Sequence, residues 1–173
     1  MPFAYFHGIF ATATPMRIYV HIPSQTLDLL DGDKLLRRYV ISSSRHGLGS
    51  EAGSNQTPVG RFRIAEKRGD GAAPGTVFVS REPTGEIGTE DDPKDHVQTR
   101  ILWLDGLEKG NANTHDRYVY IHGTNAESRL GIPASEGCIR MSNADVIDLY
   151  DAVEAGTEVV IDPGEEIKAL AGA

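Results

Sequence analysis

A single cysteine among 173 residues rules out an intramolecular disulfide, a CxxC redox pair and a thiolate-rich zinc site. What remains is either a small buried apolar side chain or a thiol kept for chemistry. Cys138 lies in Ala134-Ser135-Glu136-Gly137-Cys138-Ile139-Arg140-Met141, just before the cap of a helix pattern that begins at Asn143. The positive end of a helix dipole and the neighbouring Arg140 both favour thiolate over thiol, as a nucleophile at neutral pH requires. Gly137 lets the backbone turn tightly, so that N–H groups can converge on an oxyanion. On these local features the buried and the nucleophilic readings stand level.

A nucleophilic thiol needs a base. His122 ends the apolar run Tyr118-Val119-Tyr120-Ile121 and is followed by Gly123-Thr124-Asn125, so it sits where a strand meets a loop. Side chains held there by a rigid scaffold are often catalytic, although a strand-end histidine taken alone is more often structural. It precedes Cys138 by sixteen residues, enough for a loop to fold back and bring imidazole to sulfur. His7, His21, His46, His96 and His115 lie in less suggestive settings. A zinc site from His115, His122, Glu136 and Cys138 can be drawn, but no spacing matches a standard metal motif, and no metal is expected.

The elements that must position these groups are mostly strands. Met16–Ile22 alternates, with Met16, Ile18, Val20 and Ile22 on one face. Thr26–Leu30, the turn Asp31-Gly32-Asp33 and Lys34–Ser42 read as a hairpin. Ser43–Val59 is rich in Ser and Gly and reads as an irregular loop; Gly47, Gly49 and Gly53 do not fit a dinucleotide fingerprint. Strand character returns at Gly60–Lys67, Thr76–Arg81, Arg100–Leu104, Arg117–His122 and Thr157–Ile161. One helix is expected over Asn143–Ala155, capped by Ser142 with Asp145 three residues on, its Val146, Leu149, Tyr150 and Val153 on one face and Gly156 closing it. Many short strands and one late helix predict a mainly β domain, a sandwich of mixed β-sheets with one or few helices. Residues 16–162 form that domain, with 1–15 an N-terminal appendage and 163–173 a C-terminal tail.

The balance of 17 basic against 25 acidic residues, net charge −8, argues against a nucleic-acid partner. No apolar run approaches the roughly 18 residues of a membrane span, so an integral membrane protein is not expected. Met1–Thr14 is apolar and aromatic, but it lacks a basic start and is broken by His7 and Gly8, a poor secretory leader that keeps a cytoplasmic placement open. Glu82–His96 carries six acids (Glu82, Glu86, Glu90, Asp91, Asp92, Asp95) against one lysine. It lacks EF-hand spacing and reads as a solvated surface loop. The sequence does not set the oligomeric state.

The segment Ile121-His122-Gly123-Thr124-Asn125 followed by Ser135-Glu136-Gly137-Cys138-Ile139-Arg140-Met141 resembles the active-site signature of the L,D-transpeptidase catalytic (YkuD-type) domain. In that family an upstream histidine precedes S/T-x-G-C-I-R-[ML]. Thr57-Pro58-Val59-Gly60-Arg61-Phe62 is similar to the family's T-P-x-G-x-F element, and the likeness runs from about Arg17 to Ile161. The resemblance implies Cys138 as nucleophile, His122 as base and then acid, and the Gly123 carbonyl as the group that orients the imidazole. It places the oxyanion hole at the N–H groups of Gly137 and Cys138, with Arg140, Ser135, Thr124 and Asn125 toward substrate. Arg140 on this view braces the loop or holds a substrate carboxylate, and Ser135 acts as a loop hydrogen-bonder. No cofactor is implied.

The implied substrate is a peptidoglycan stem tetrapeptide, which loses its terminal D-Ala to leave a thioester that an amine or water then resolves. The implied location is the cell envelope or periplasm. Glu136 departs from the pattern, where histidine is frequent, and its carboxylate is expected to raise the thiol's pKa unless it points away or pairs with Arg140 or Arg129. Two other readings share the residues: a different cysteine hydrolase or amidase, and a non-catalytic muropeptide binder.

Overall fold

The computed structural model describes residues 15–164; nearly all of the expected N-terminal appendage and C-terminal tail lies outside the described residues. Ten strands follow in chain order: β1 (Met16–His21), β2 (Thr26–Asp31), β3 (Lys34–Ser42), β4 (Gly60–Arg68), β5 (Thr76–Val79), β6 (Glu82–Ile87), β7 (Val97–Gly106), β8 (Tyr120–Gly123), β9 (Ile139–Met141) and β10 (Glu158–Asp162), with one α-helix, α1 (Asn143–Ala152), before the last. They form one mixed sheet in the order β4-β10-β1-β2-β3-β9-β8-β7-β5-β6, and β4 also pairs with β7. The sheet therefore returns on itself from β4 round to β7, and the β5–β6 hairpin extends beyond the closure. The pairs β1–β10 and β8–β9 are parallel and the rest antiparallel.

Alternation builds the core. Ile18 and Val20 on β1, Leu27 and Leu29 on β2, and Phe62 and Ile64 on β4 all turn inward and are buried, as period-2 patterning requires of a sheet with one covered face. Strand β7 is buried along most of its length. Helix α1 packs on β7 and β8 and delivers Val146, Leu149 and Tyr150 into the same core. Its cap is Ser142, whose hydroxyl accepts from the Asp145 N–H at 3.1 Å.

The helix stops at Ala152 rather than Ala155. Lys67 reaches across from β4 and donates to the carbonyls of Tyr150 (2.8 Å) and Val153 (2.7 Å), which closes the last turn with a charge suited to the helix's negative end. Strand β8 also starts later than expected, because Tyr118 takes φ 57° and breaks the extended run. Part of the acidic stretch is strand: Ser80 and Arg81, with φ 49° and 65°, make the tight turn that folds Glu82–Ile87 back on β5, a hairpin hidden by the polar composition of its second strand.

Phe62 is fully buried, whereas Leu36 is 40% exposed. Phe62→Ala is expected to cost about 3–5 kcal/mol and Leu36→Ala to stay within about 0.5 kcal/mol, both read as shifts of the urea unfolding curve.

Candidate active site

The parallel pair β8–β9 sets Ile121 opposite Ile139 and His122 opposite Arg140. Cys138, half-buried, is the residue at which the chain enters β9. Its sulfur lies along β8: the Tyr120 N–H points at Sγ at 3.3 Å, and Sγ faces the Tyr118 carbonyl at 3.6 Å. Cys138 packs against the cluster of Phe78, Ile101, Trp103 and Tyr120, and the Tyr120 and His122 side chains share strand parity, so thiol and imidazole face the same side of β8.

His122 is 3% exposed. Its Nδ1 lies 2.6 Å from the Gly123 carbonyl, which can only accept; Nδ1 therefore carries the proton and Nε2 of the neutral ring keeps its lone pair. Gly123 must be glycine, because a Cβ there would lie 2.7 Å from both Asn143 Oδ1 and the Gln98 carbonyl oxygen. Burial lowers the His122 pKa, with Arg140 acting the same way and the Gly123 bond and Asp95 opposing.

The thiol departs from expectation. Burial pushes Cys138 up to about 11, and Asp95 adds to the rise, while the Tyr120 N–H, Arg140 and Arg117 pull the other way. The helix-dipole argument fails for a structural reason: strand β9 stands between Cys138 and the Ser142 cap, and a dipole acts only within its first turn. Burial therefore favours the neutral form of both the thiol and the imidazole.

The loop before the thiol is tied on several sides. Gly137 has φ 127°, a region that disfavours other residues. Its N–H donates to Ser135 Oγ (3.2 Å), and that hydroxyl donates to the Cys138 carbonyl (2.6 Å). Thr57 donates to the Gly137 carbonyl (3.0 Å) and accepts from the Ser44 N–H (2.9 Å), so the Thr-Pro element braces the loop from behind. Glu136 turns away from the sulfur. It pairs with Arg45 (2.6 Å) and His46 (2.7 Å), not with Arg140 or Arg129.

The other expected site residues divide. Arg140 is 4% exposed and pairs with Asp95. Thr124 and Asn125, expected to touch substrate, are buried: the Thr124 hydroxyl accepts from the Ala126 N–H (3.0 Å), and Asn125 binds the backbone of residues 89–96. They hold loops rather than line the cleft. The four candidate zinc ligands do not converge. His115 stacks on Trp103 at 3.9 Å and faces Glu66, and no cluster of three or more metal-ligating side chains stands among the described residues.

Beside the thiol opens a cleft of about 290 Å³, lined by Ala52, Asn55, Arg117, Tyr118 and Gly137 among others. Sequence reasoning passed over its aromatic flank. Trp103 stacks with Tyr118 (5.7 Å) and meets Tyr120 edge-on (5.6 Å), and Arg81 from the β5–β6 turn lies over the rings of Trp103 (5.0 Å) and Tyr118 (5.1 Å). The signal was present in Tyr118 and Tyr120 bracketing the expected strand, but Arg81 and Trp103 come together only in three dimensions.

Because the Glu136 carboxylate is committed to Arg45 and His46, Glu136→Gln is expected to leave the pH midpoint of Cys138 alkylation by iodoacetamide where it is in the parent protein. Intact mass spectrometry across a pH series checks this; a fall in the midpoint would place the carboxylate's field on the sulfur after all.

The family model described as the L,D-transpeptidase catalytic domain matches residues 15–161. A putative L,D-transpeptidase YkuD of Bacillus licheniformis is 32% identical over 151 residues, covering 86% of this chain and 67% of its own length. The Bacillus subtilis protein of the same name is 31% identical over 147 residues, 85% of this chain and 66% of its own. The fold is that of the L,D-transpeptidase of Xylanimonas cellulosilytica (TM-score 0.57, 22% identity, 88% of this chain and 62% of that one). It is likewise that of an L,D-transpeptidase from Mycobacterium tuberculosis solved with a faropenem-derived adduct (TM-score 0.55, 20% identity, 85% and 60%). This chain spans about two thirds of the Bacillus relatives and about three fifths of the solved chains. With the model covering nearly all of the described residues, the chain belongs to the L,D-transpeptidase catalytic domain family.

Proposed function

We propose that the chain is a cysteine-dependent L,D-transpeptidase or L,D-carboxypeptidase that acts in the cell envelope on peptidoglycan stem tetrapeptides. The observation that carries this reading is the His122 Nδ1–Gly123 carbonyl bond, which leaves Nε2 as the base for the only thiol of the chain. Cys138 Sγ attacks the carbonyl carbon before the terminal D-Ala as its proton passes to His122. The imidazolium then gives that proton to the departing amine, D-Ala leaves, and a thioester remains. An amine acceptor closes the cycle as a cross-link, water as a trimmed tripeptide.

Thiol and imidazole are both neutral at rest, so the proton moves as the substrate is attacked rather than beforehand. The Cys138 N–H supports the developing oxyanion; the Gly137 N–H joins it by giving up its bond to Ser135 Oγ. Tyr118 and Arg117 line the donor site, with Trp103 and Arg81 packed behind Tyr118. Arg140 braces the loop from within the sheet rather than meeting the substrate.

Incubation with purified tetrapeptide muropeptides is expected to release D-Ala and to give tripeptide or cross-linked dimer by mass analysis. Cys138→Ala abolishes both products, and His122→Ala lowers the rate by about 10²–10⁴-fold. The acid limb of the rate profile falls below the ordinary histidine value of about 6.5, because burial lowers the His122 pKa and the ring is the active base only when neutral. A carbapenem is expected to add covalently to Cys138. Full turnover by either variant sinks the dyad, turnover of other amides alone favours a different cysteine hydrolase, and folded protein without adduct or turnover favours a binder.

A further inference from the structure

We propose that Asp95 is a positioning residue of this dyad: its ion pair with Arg140 holds the guanidinium in the sheet opposite His122 and cancels that charge at the reacting pair. The inference rests on the cysteine–histidine reading above, and it gives the acidic stretch a task inside the site.

Arg140 is 4% exposed and is His122's cross-strand neighbour. A guanidinium so placed needs a counter-charge, because an unpaired buried ion is strongly destabilising. Asp95 is its acidic partner, and Arg140 Nε has no hydrogen-bond partner among the described residues, so the pair at Nη2 is its main anchor. Asp95 is also delivered with care. Asn125, three residues beyond His122, donates to the carbonyls of Thr89 (3.2 Å), Asp92 (3.3 Å) and Lys94 (2.9 Å) and accepts from the His96 N–H (3.1 Å). Asp92 pairs with His96 within the loop, and Glu90 accepts from the backbone of Glu127 and Ser128. The segment that follows β8 thus grips the loop that carries Asp95.

The charges facing the dyad are few. Asp95 and Arg140 act on both members, and Arg117 acts on the sulfur alone. The Tyr120 phenol also senses the thiolate and itself contacts Arg81. Asp95 favours imidazolium and opposes thiolate, and Arg140 does the reverse. Neutralising Asp95 leaves Arg140 unopposed, so both protonation equilibria move to lower pH. Neutralising Arg140 leaves Asp95 unopposed, so both move to higher pH. A brace with a purely mechanical role has no such opposed signature.

The lone cysteine makes the measurement clean: the rate of Cys138 alkylation by iodoacetamide is followed against pH by intact mass, with no peptide substrate involved. Failure of tetrapeptide turnover would overturn the proposed function and leave this test standing. Asp95→Asn is expected to move the alkylation midpoint down by about half a pH unit or more, which is about a threefold gain in rate at fixed pH below the midpoint. Asp95→Glu stays at the parent value, Arg140→Gln moves the midpoint up by a similar amount, and the Asp95→Asn/Arg140→Gln double variant returns near the parent. If Asp95→Asn does not fold, Arg140→Gln carries the test, since the aspartate it leaves behind is one-third exposed and can be hydrated. A midpoint unmoved in both single variants, or moved in the same direction in both, overturns the proposal.

Discussion

Two adjacent parallel strands cannot be joined by a tight turn, so the chain between Gly123 and Ile139 must leave the sheet and come back to pair in the same direction. That constraint organises the site. His122 sits at the departing end of β8 and Cys138 at the arriving end of the excursion, so one strand pair fixes imidazole and thiol while the crossover loop shapes the space around them. Several braces act on that excursion: Thr57 on Gly137, Ser135 on the turn, Glu136 on Arg45 and His46, and Asn125 on the acidic loop that carries Asp95.

Burial is what this arrangement costs chemically. A buried histidine and a half-buried thiol both lose solvation for their charged forms, so imidazole is harder to protonate and thiol harder to ionise. Local cations do not overcome that for the sulfur, because Arg140 brings its own counter-charge and Arg117 spends its donors on the carbonyls of Gly49 and Gln56. Under the proposed function a neutral pair suits a thiol that must survive unacylated until substrate arrives, since the neutral sulfur is a poor nucleophile toward adventitious electrophiles. Ion-pair character then develops only when a carbonyl is in place to accept the sulfur.

Much of the framework was legible from period-2 alternation and from turn residues. Met16–Ile22, the Asp31-Gly32-Asp33 hairpin and Lys34–Ser42 each fall within about a residue of β1, β2 and β3, because local pattern alone decides such elements. His122 and Cys138, the pair of the proposed function, stand out in the sequence as motif and spacing. Three things were not legible. Strand β9 is three residues long and lies between a loop and a helix cap, so no periodicity can reveal it, and missing it produced the mistaken helix-dipole argument. Hairpin β5–β6 turns on two non-glycine residues in the left-handed region, against the usual glycine signal. Asp95 looked like one acid among six in a solvated stretch; its partner lies 45 residues away, and a long-range buried pair leaves no trace in local composition.

The helix does reach the site, by a mechanical route rather than an electrical one. Asn143, the first residue of α1, accepts from Thr99 Oγ1 (2.6 Å) and Gln98 Nε2 (3.1 Å). These two residues lie where the β7–β8 register shifts between Gln98 and Ile101, the latter facing His122. Thr99 has φ 77°, a conformation that a β-branched residue takes up only when its surroundings hold it there. The bulge that results lets β7 bend past Gly123 closely enough that no side chain fits at that position. The Gly123 carbonyl, placed by that contact, holds the His122 ring in the tautomer that leaves Nε2 free. A strained threonine, a helix-start asparagine and an obligatory glycine thus form one chain of contacts that ends at the proton on Nδ1. Substitutions along it would act on the His122 ring without touching it.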